Sequence, residues 1–152
     1  MIWSTKQYHD PAQIELLAAM ARQWGFLREP SKNELELGDW FAMSRGSEIA
    51  EVHWFERIEG MPDLAGLHYV VSPRCRRAWP VRLWLDSVIG FARDSGFQKL
   101  VAGVNGLPLD YLLRYVEIWN RRHLFDPLTI ESSIPAGSEQ VVVVSLETPN
   151  GT

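Results

Sequence analysis

The sequence has one cysteine, Cys75, in 152 residues. A single thiol excludes an intramolecular disulfide framework and any metal centre built on several thiolates, and it fits a reducing compartment. Long apolar runs are also missing. The longest purely aliphatic stretch spans residues 141–144, far short of the roughly 18–20 residues of a membrane-spanning helix. Residues 1–10 carry one lysine, Lys6, and turn polar by Ser4. They lack the apolar centre of a secretory signal peptide, so cytoplasmic synthesis without a membrane partner is the expectation. Neither charge sign dominates: 15 Lys+Arg face 19 Asp+Glu for a formal charge of −4, which argues against wholesale attraction to nucleic acid or anionic lipid. The four histidines, at 9, 53, 68 and 123, show no ligand spacing, and G-x-S-x-G, P-loop and H-E-x-x-H patterns are absent; no metal is expected.

Hydrophobic residues make up 46% of the chain, enough for one core without staples. Seven Trp, six Phe and four Tyr are present. Tryptophan brings a large apolar surface and one N–H to satisfy, so this excess belongs either in the core or at an interface.

No repeat, low-complexity tract or linker divides the chain, and residues 1–152 read as a single domain. Residues 2–8 read as a first strand. Asp10-Pro11 then starts a helix, with Asp as N-cap and Pro in the first turn. It runs to about Trp24 along the face Ile14, Leu17, Met20, Ala21 and Trp24, with Gly25 as its stop. After a polar connection, residues 40–44 and 49–58 form two strands around Arg45-Gly46-Ser47. The nearly continuous apolar run 64–71 predicts a central buried strand. From Pro80, the positions Val81, Trp84, Leu85, Val88, Ile89 and Ala92 mark a helix closed by Gly96. A strand over 97–104, a helix over 109–122 and a final hairpin of 128–133 with 140–147 around Pro135-Ala136-Gly137 complete the chain. This order gives an α/β domain on one mixed, twisted sheet of about six or seven strands flanked by about three helices.

The run His68-Tyr69-Val70-Val71-Ser72-Pro73-Arg74-Cys75-Arg76-Arg77 is followed by a helix, a Gly96-Phe97 break, a strand ending Val104-Asn105, a helix and Leu124-Phe125. That succession resembles the GNAT (GCN5-related N-acetyltransferase) superfamily, over residues 64–147 in motif and the whole chain in element order. The resemblance implies a single GNAT-like domain. If acetyl-CoA binds, it implies that Val70 and Val71 face the pantetheine, that Arg76 and Arg77 meet the pyrophosphate, and that Val81 and Asn105 complete the cofactor set. The chain departs from the pattern where Trp79 and Val81 replace the usual glycines and where Pro80 removes an N–H. Amine acylation needs a base and an acid. His68 and Glu56 are the first candidates, with Glu51 and His53 nearby on the preceding strand; a hydrogen-bonded structural role is the alternative for each. Tyr115 or Tyr111 resembles the family's acid, although counting back from Phe125 reaches Asn120 instead.

Two functions follow. The favoured one is a GNAT-like module with an eroded pyrophosphate loop and no certain cofactor, acting as a protein-interaction or structural component. It is similar in type to small GNAT-like proteins of tailed bacteriophages, which implies virion association. Arg74, Arg76, Arg77, Trp79 and Arg82 would meet a protein partner, a second copy or another anionic ligand, nucleic-acid backbone being compatible with the same arginines. The alternative is an active acetyl-CoA-dependent N-acyltransferase acting on an amine.

Overall fold

The computed structural model describes residues 2–104, 106–124, 127–136 and 139–146, the backbone alone at 104, 106–108, 136, 139 and 140. Its strands are β1 (Trp3–Tyr8), β2 (Asp39–Arg45), β3 (Glu48–Arg57), β4 (Leu64–Val71), β5 (Lys99–Val104), β6 (Thr129–Ala136) and β7 (Glu139–Ser145). Its helices are α1 (Pro11–Gln23), α2 (Lys32–Leu37), α3 (Val81–Asp94) and α4 (Gly106–Arg122). The strands form one mixed seven-stranded sheet in the order β1-β2-β3-β4-β5-β7-β6. The α/β expectation holds; four helices lie among the described residues, α2 occupying what reads in sequence as a polar connection.

One compact unit comprises the chain up to Arg57 together with Leu67–Pro80. Here β1, β2 and β3 form an antiparallel meander. The Oδ1 of Asp10 accepts the Ala12 N–H at 2.9 Å and Pro11 occupies the first turn, so α1 starts where the sequence says. Its apolar stripe of Ile14, Leu17, Ala18 and Ala21 packs on Trp40, Ala42, Val52, Trp54 and Val70. Trp40 and Trp54 are cross-strand partners with stacked rings, 4.4 Å apart and 7° from parallel. Strand alternation puts Val52, Trp54 and Glu56 on this face of β3 and Glu51, His53 and Phe55 on the other.

The second unit comprises Ile58–Gly66 and the chain from Val81 onward. Its core takes Trp84, Leu85, Val88, Ile89 and Ala92 of α3, Leu112 and Tyr115 of α4, and Val142 and Val144 of β7, all buried. Strand β7 pairs antiparallel with both β5 and β6. The amide side chain of Asn120 closes the α4–β6 connection, donating to the Leu128 carbonyl at 2.9 Å and accepting the Leu128 N–H at 2.8 Å. Asn120 thus has a structural task at the position where the family count expects an acid.

Candidate active site

Two of the predicted catalytic residues meet on the first unit. His68 of β4 and Glu56 of β3 approach to 2.8 Å between Nε2 and Oε1, with side chains 25% and 30% exposed. A second carboxylate oxygen, Glu34 Oε2, lies 3.7 Å from the same nitrogen. Facing two carboxylates, Nε2 carries the proton, an assignment made from its partners. The lone pair then sits on Nδ1, which has no hydrogen-bond partner among the described residues. The imidazole lies edge-on to Phe26 (5.9 Å, 80°) and tilted against Trp54 (5.3 Å, 32°).

Glu34 belongs to the helix that the sequence reading missed. Ser31-Lys32-Asn33-Glu34 is a capping box: the Ser31 hydroxyl accepts the Glu34 N–H at 3.1 Å, and Glu34 Oε1 accepts the Ser31 N–H at 3.0 Å. The same carboxylate takes Arg28 Nη1 at 2.6 Å, Arg28 Nη2 at 3.2 Å and the Trp54 indole N–H at 2.7 Å. The Glu34 carbonyl accepts the Trp40 indole N–H at 2.8 Å. Gly38 follows because a Cβ there would collide with that carbonyl oxygen. Burial pushes the Glu34 carboxyl upward. The hydrogen bonds from Arg28, Trp54 and Ser31, with the Arg28 charge, outweigh it and hold the group at about 2. The Glu34 hydrogen bond reciprocally raises Arg28.

One ligand atom each from Glu34, Glu56 and His68 fall within 4.8 Å of one another. The donor set suits a proton rather than a metal: the Glu34 oxygens are already claimed by four donors, and a cation would sit beside the Arg28 guanidinium. The other histidine pair is closed off. His53 Nδ1 lies 2.8 and 2.9 Å from the two Glu51 oxygens, with the residues 1% and 0% exposed and the Phe41 ring stacked on the imidazole. Glu51 and His53 take the structural alternative.

In the turn over residues 72–80, several expected anion donors are engaged internally. The Cys75 N–H bonds the Ser72 carbonyl, and the Ala78 and Trp79 N–H groups both bond the Cys75 carbonyl, at 2.9–3.0 Å. Trp79 is 8% exposed and stacks on Tyr69 at 6.1 Å; Cys75 and Val81 are buried. Arg76 donates to the Trp24 carbonyl at the end of α1 (3.0 Å), where the helix dipole favours a cation, and Arg74 pairs with Glu48 at 3.4 Å. Arg77 and Arg82 are exposed. Val70 and Val71 are buried, and Asn105 lies outside the described residues. The tryptophans are placed inward: Trp40, Trp54, Trp79 and Trp84 are buried and Trp3, Trp24 and Trp119 half-buried.

The Tyr115 hydroxyl is engaged within the second unit. It donates to Asp86 Oδ1 of α3 at 2.6 Å, and burial followed by this bond pushes its titration far up. Its proton is therefore held by Asp86.

No protein-family model and no curated protein matches the chain. Solved structures do. The ribosomal-protein-S18-alanine N-acetyltransferase of Escherichia coli superposes with a TM-score of 0.61 at 15% identity, over 95% of this chain and 93% of that one. A GNAT-family acetyltransferase of Streptococcus pneumoniae gives 0.59 at 15%, over 94% and 97%. N-acetylglutamate synthase of Neisseria gonorrhoeae, solved with coenzyme A and N-acetyl-glutamate, gives 0.59 at 16%, over 97% of this chain and 36% of its own. At these identities the likeness establishes the fold: the chain has a GNAT-like α/β fold.

Proposed function

We propose that this domain is an N-acyltransferase that moves an acyl group from an acyl-CoA thioester to an amine, with His68 as base and Glu56 as its orienting carboxylate. The observation that carries the reading is the 2.8 Å His68–Glu56 pair with an unpartnered Nδ1, on a fold shared with acetyltransferases. Acetyl-CoA, as donor substrate, supplies the activated acyl carbon. Glu56 fixes the imidazole tautomer, and Nδ1 takes a proton from the acceptor ammonium. The freed amine attacks the thioester carbonyl; the C–N bond forms, the C–S bond breaks, the nitrogen's remaining excess proton passes through water to the departing thiolate, and His68 returns the first proton to solvent. Because Asp86 holds the Tyr115 hydroxyl, Tyr115→Phe is expected to change the steady-state rate less than about threefold, at a stability cost of about 0.5–1.5 kcal/mol.

The engaged turn amides set the donor affinity. Each charge-assisted hydrogen bond forgone weakens binding by about 1.5–3 kcal/mol, so two lower it by more than a hundredfold. Calorimetric titration with acetyl-CoA should give a dissociation constant of roughly 100 μM or weaker. A low-micromolar constant would contradict that reading of the turn. The absence of any heat at millimolar acetyl-CoA would reject acyl transfer.

That last result would favour a second reading, which the engaged amides of Cys75, Ala78 and Trp79 support: a GNAT-fold module that works by binding a protein partner. The inward placement of the tryptophans removes one argument for it, since none is exposed to serve as an anchor.

A further inference from the structure

We infer that Glu34, with Arg28 as its counter-ion, is the positioning residue of the His68 site: α2 brings to the imidazole a second, buried carboxylate that fixes its surroundings without touching substrate. The inference rests on the acyltransfer reading for its kinetic consequence, but not for its structural one. Glu34 is 2% exposed, yet its two oxygens contact the residues that wall the ring. Oε2 accepts the Trp54 indole N–H at 2.7 Å and lies 3.7 Å from His68 Nε2. Both oxygens bind the Arg28 guanidinium, which lies 5.3 Å from the centre of the Phe26 ring. Phe26 in turn meets the Trp54 edge at 4.8 Å and the His68 ring at 5.9 Å. Arg28 and Trp54 therefore bind one carboxylate that also faces His68, and Phe26 joins the three through its ring.

The charges are arranged to match. Glu34 and Glu56 both face Nε2–H, and either would hold the proton there. Arg28 hydrogen-bonds Glu34 twice and reaches Glu56 only through its charge, so Glu56 is the carboxylate left free to hydrogen-bond the ring. A neutral imidazole in that setting keeps its lone pair on Nδ1. A side chain held against two aromatic rings and by a hydrogen bond at Nε2 loses little further freedom at reaction, which is how a surrounding shell raises kcat.

The test uses the full chain with nitrogen-15-labelled histidine and two variants, Glu34→Gln and Arg28→Met, with Glu36→Gln as a control on the exposed side of α2. Ring resonances report the His68 tautomer, and proton–proton contacts report its packing on Trp54 and Phe26. In Glu34→Gln, the His68 contacts to both rings should weaken and its ring signals broaden or double, while contacts between Ala42 and Val52 persist. The kcat should fall at least about tenfold with KM within twofold. Arg28→Met leaves the Ser31 cap intact and should show the same His68 signature should Glu34→Gln not fold. Wild-type ring contacts and tautomer in the folded variant would overturn the inference. The ring measurement needs no turnover, so positioning can fail while acyl transfer stands, and the reverse.

Discussion

Replacing Glu34 by alanine is expected to lower the unfolding free energy by about 2–5 kcal/mol, from an orphaned buried indole N–H and a lost helix cap, since the Arg28 left behind is half-exposed. The variant would leave the buried Trp54 indole N–H without its acceptor, the Ser31 N–H without its cap and Arg28 without its counter-ion. The same residue predicts an acid dependence. Its folded-state value of about 2 lies below the ordinary 4.5, so its contribution is complete above pH 4.5 and disappears as pH falls through 2. A shift of that size corresponds to about 3 kcal/mol, nearer 2 once solvent screening of the half-exposed Arg28 is allowed for. Urea unfolding of the wild type and Glu34→Gln should therefore show a gap that narrows between pH 4.5 and 2. A gap independent of pH over that interval would mean that Glu34 acts through packing alone.

Replacing His68 by alanine should reduce acyl transfer by about 10²–10⁴, the usual contribution of a positioned general base. The acetyl-CoA dissociation constant should stay within about twofold, because the imidazole enters only when the acceptor loses its proton. Glu56→Gln should retain more activity, since an amide oxygen still accepts the Nε2–H while the compensating charge is lost. His68 is one-quarter exposed, so the substitution opens little cavity, and its effect on Tm is expected to be small beside that of Glu34→Ala.

The His68–Glu56 pair was legible because it needs only two local rules. Alternation assigns Glu56 to the Trp54 face of β3, and β4 is its neighbour in the sheet. The turn was legible only in part: Trp79, Pro80 and Val81 show that glycines are missing, but Arg76 finds its acceptor 52 residues away at Trp24, which no spacing reveals. The hydrogen-bond partner of Tyr115 was hidden for a similar reason. Helical periodicity places it on α4, while Asp86, which holds its hydroxyl, is 29 residues earlier on α3. Helix α2 did leave a trace, since Ser31 and Glu34 have capping-box spacing. With six residues, it is too short for an apolar stripe to outweigh its polar composition. The burial of Glu34 rests on Trp54, 20 residues on, and follows only from the fold.

His68-dependent acyl transfer is the central expectation for this domain. The direct measurement is release of free thiol from millimolar acetyl-CoA at pH 8, in the presence of a mixture of primary amines, by the wild type and by His68→Ala at equal concentration. Faster release by the wild type, by a factor of about 100 or more, is the predicted result. Equal rates in the two proteins would contradict it.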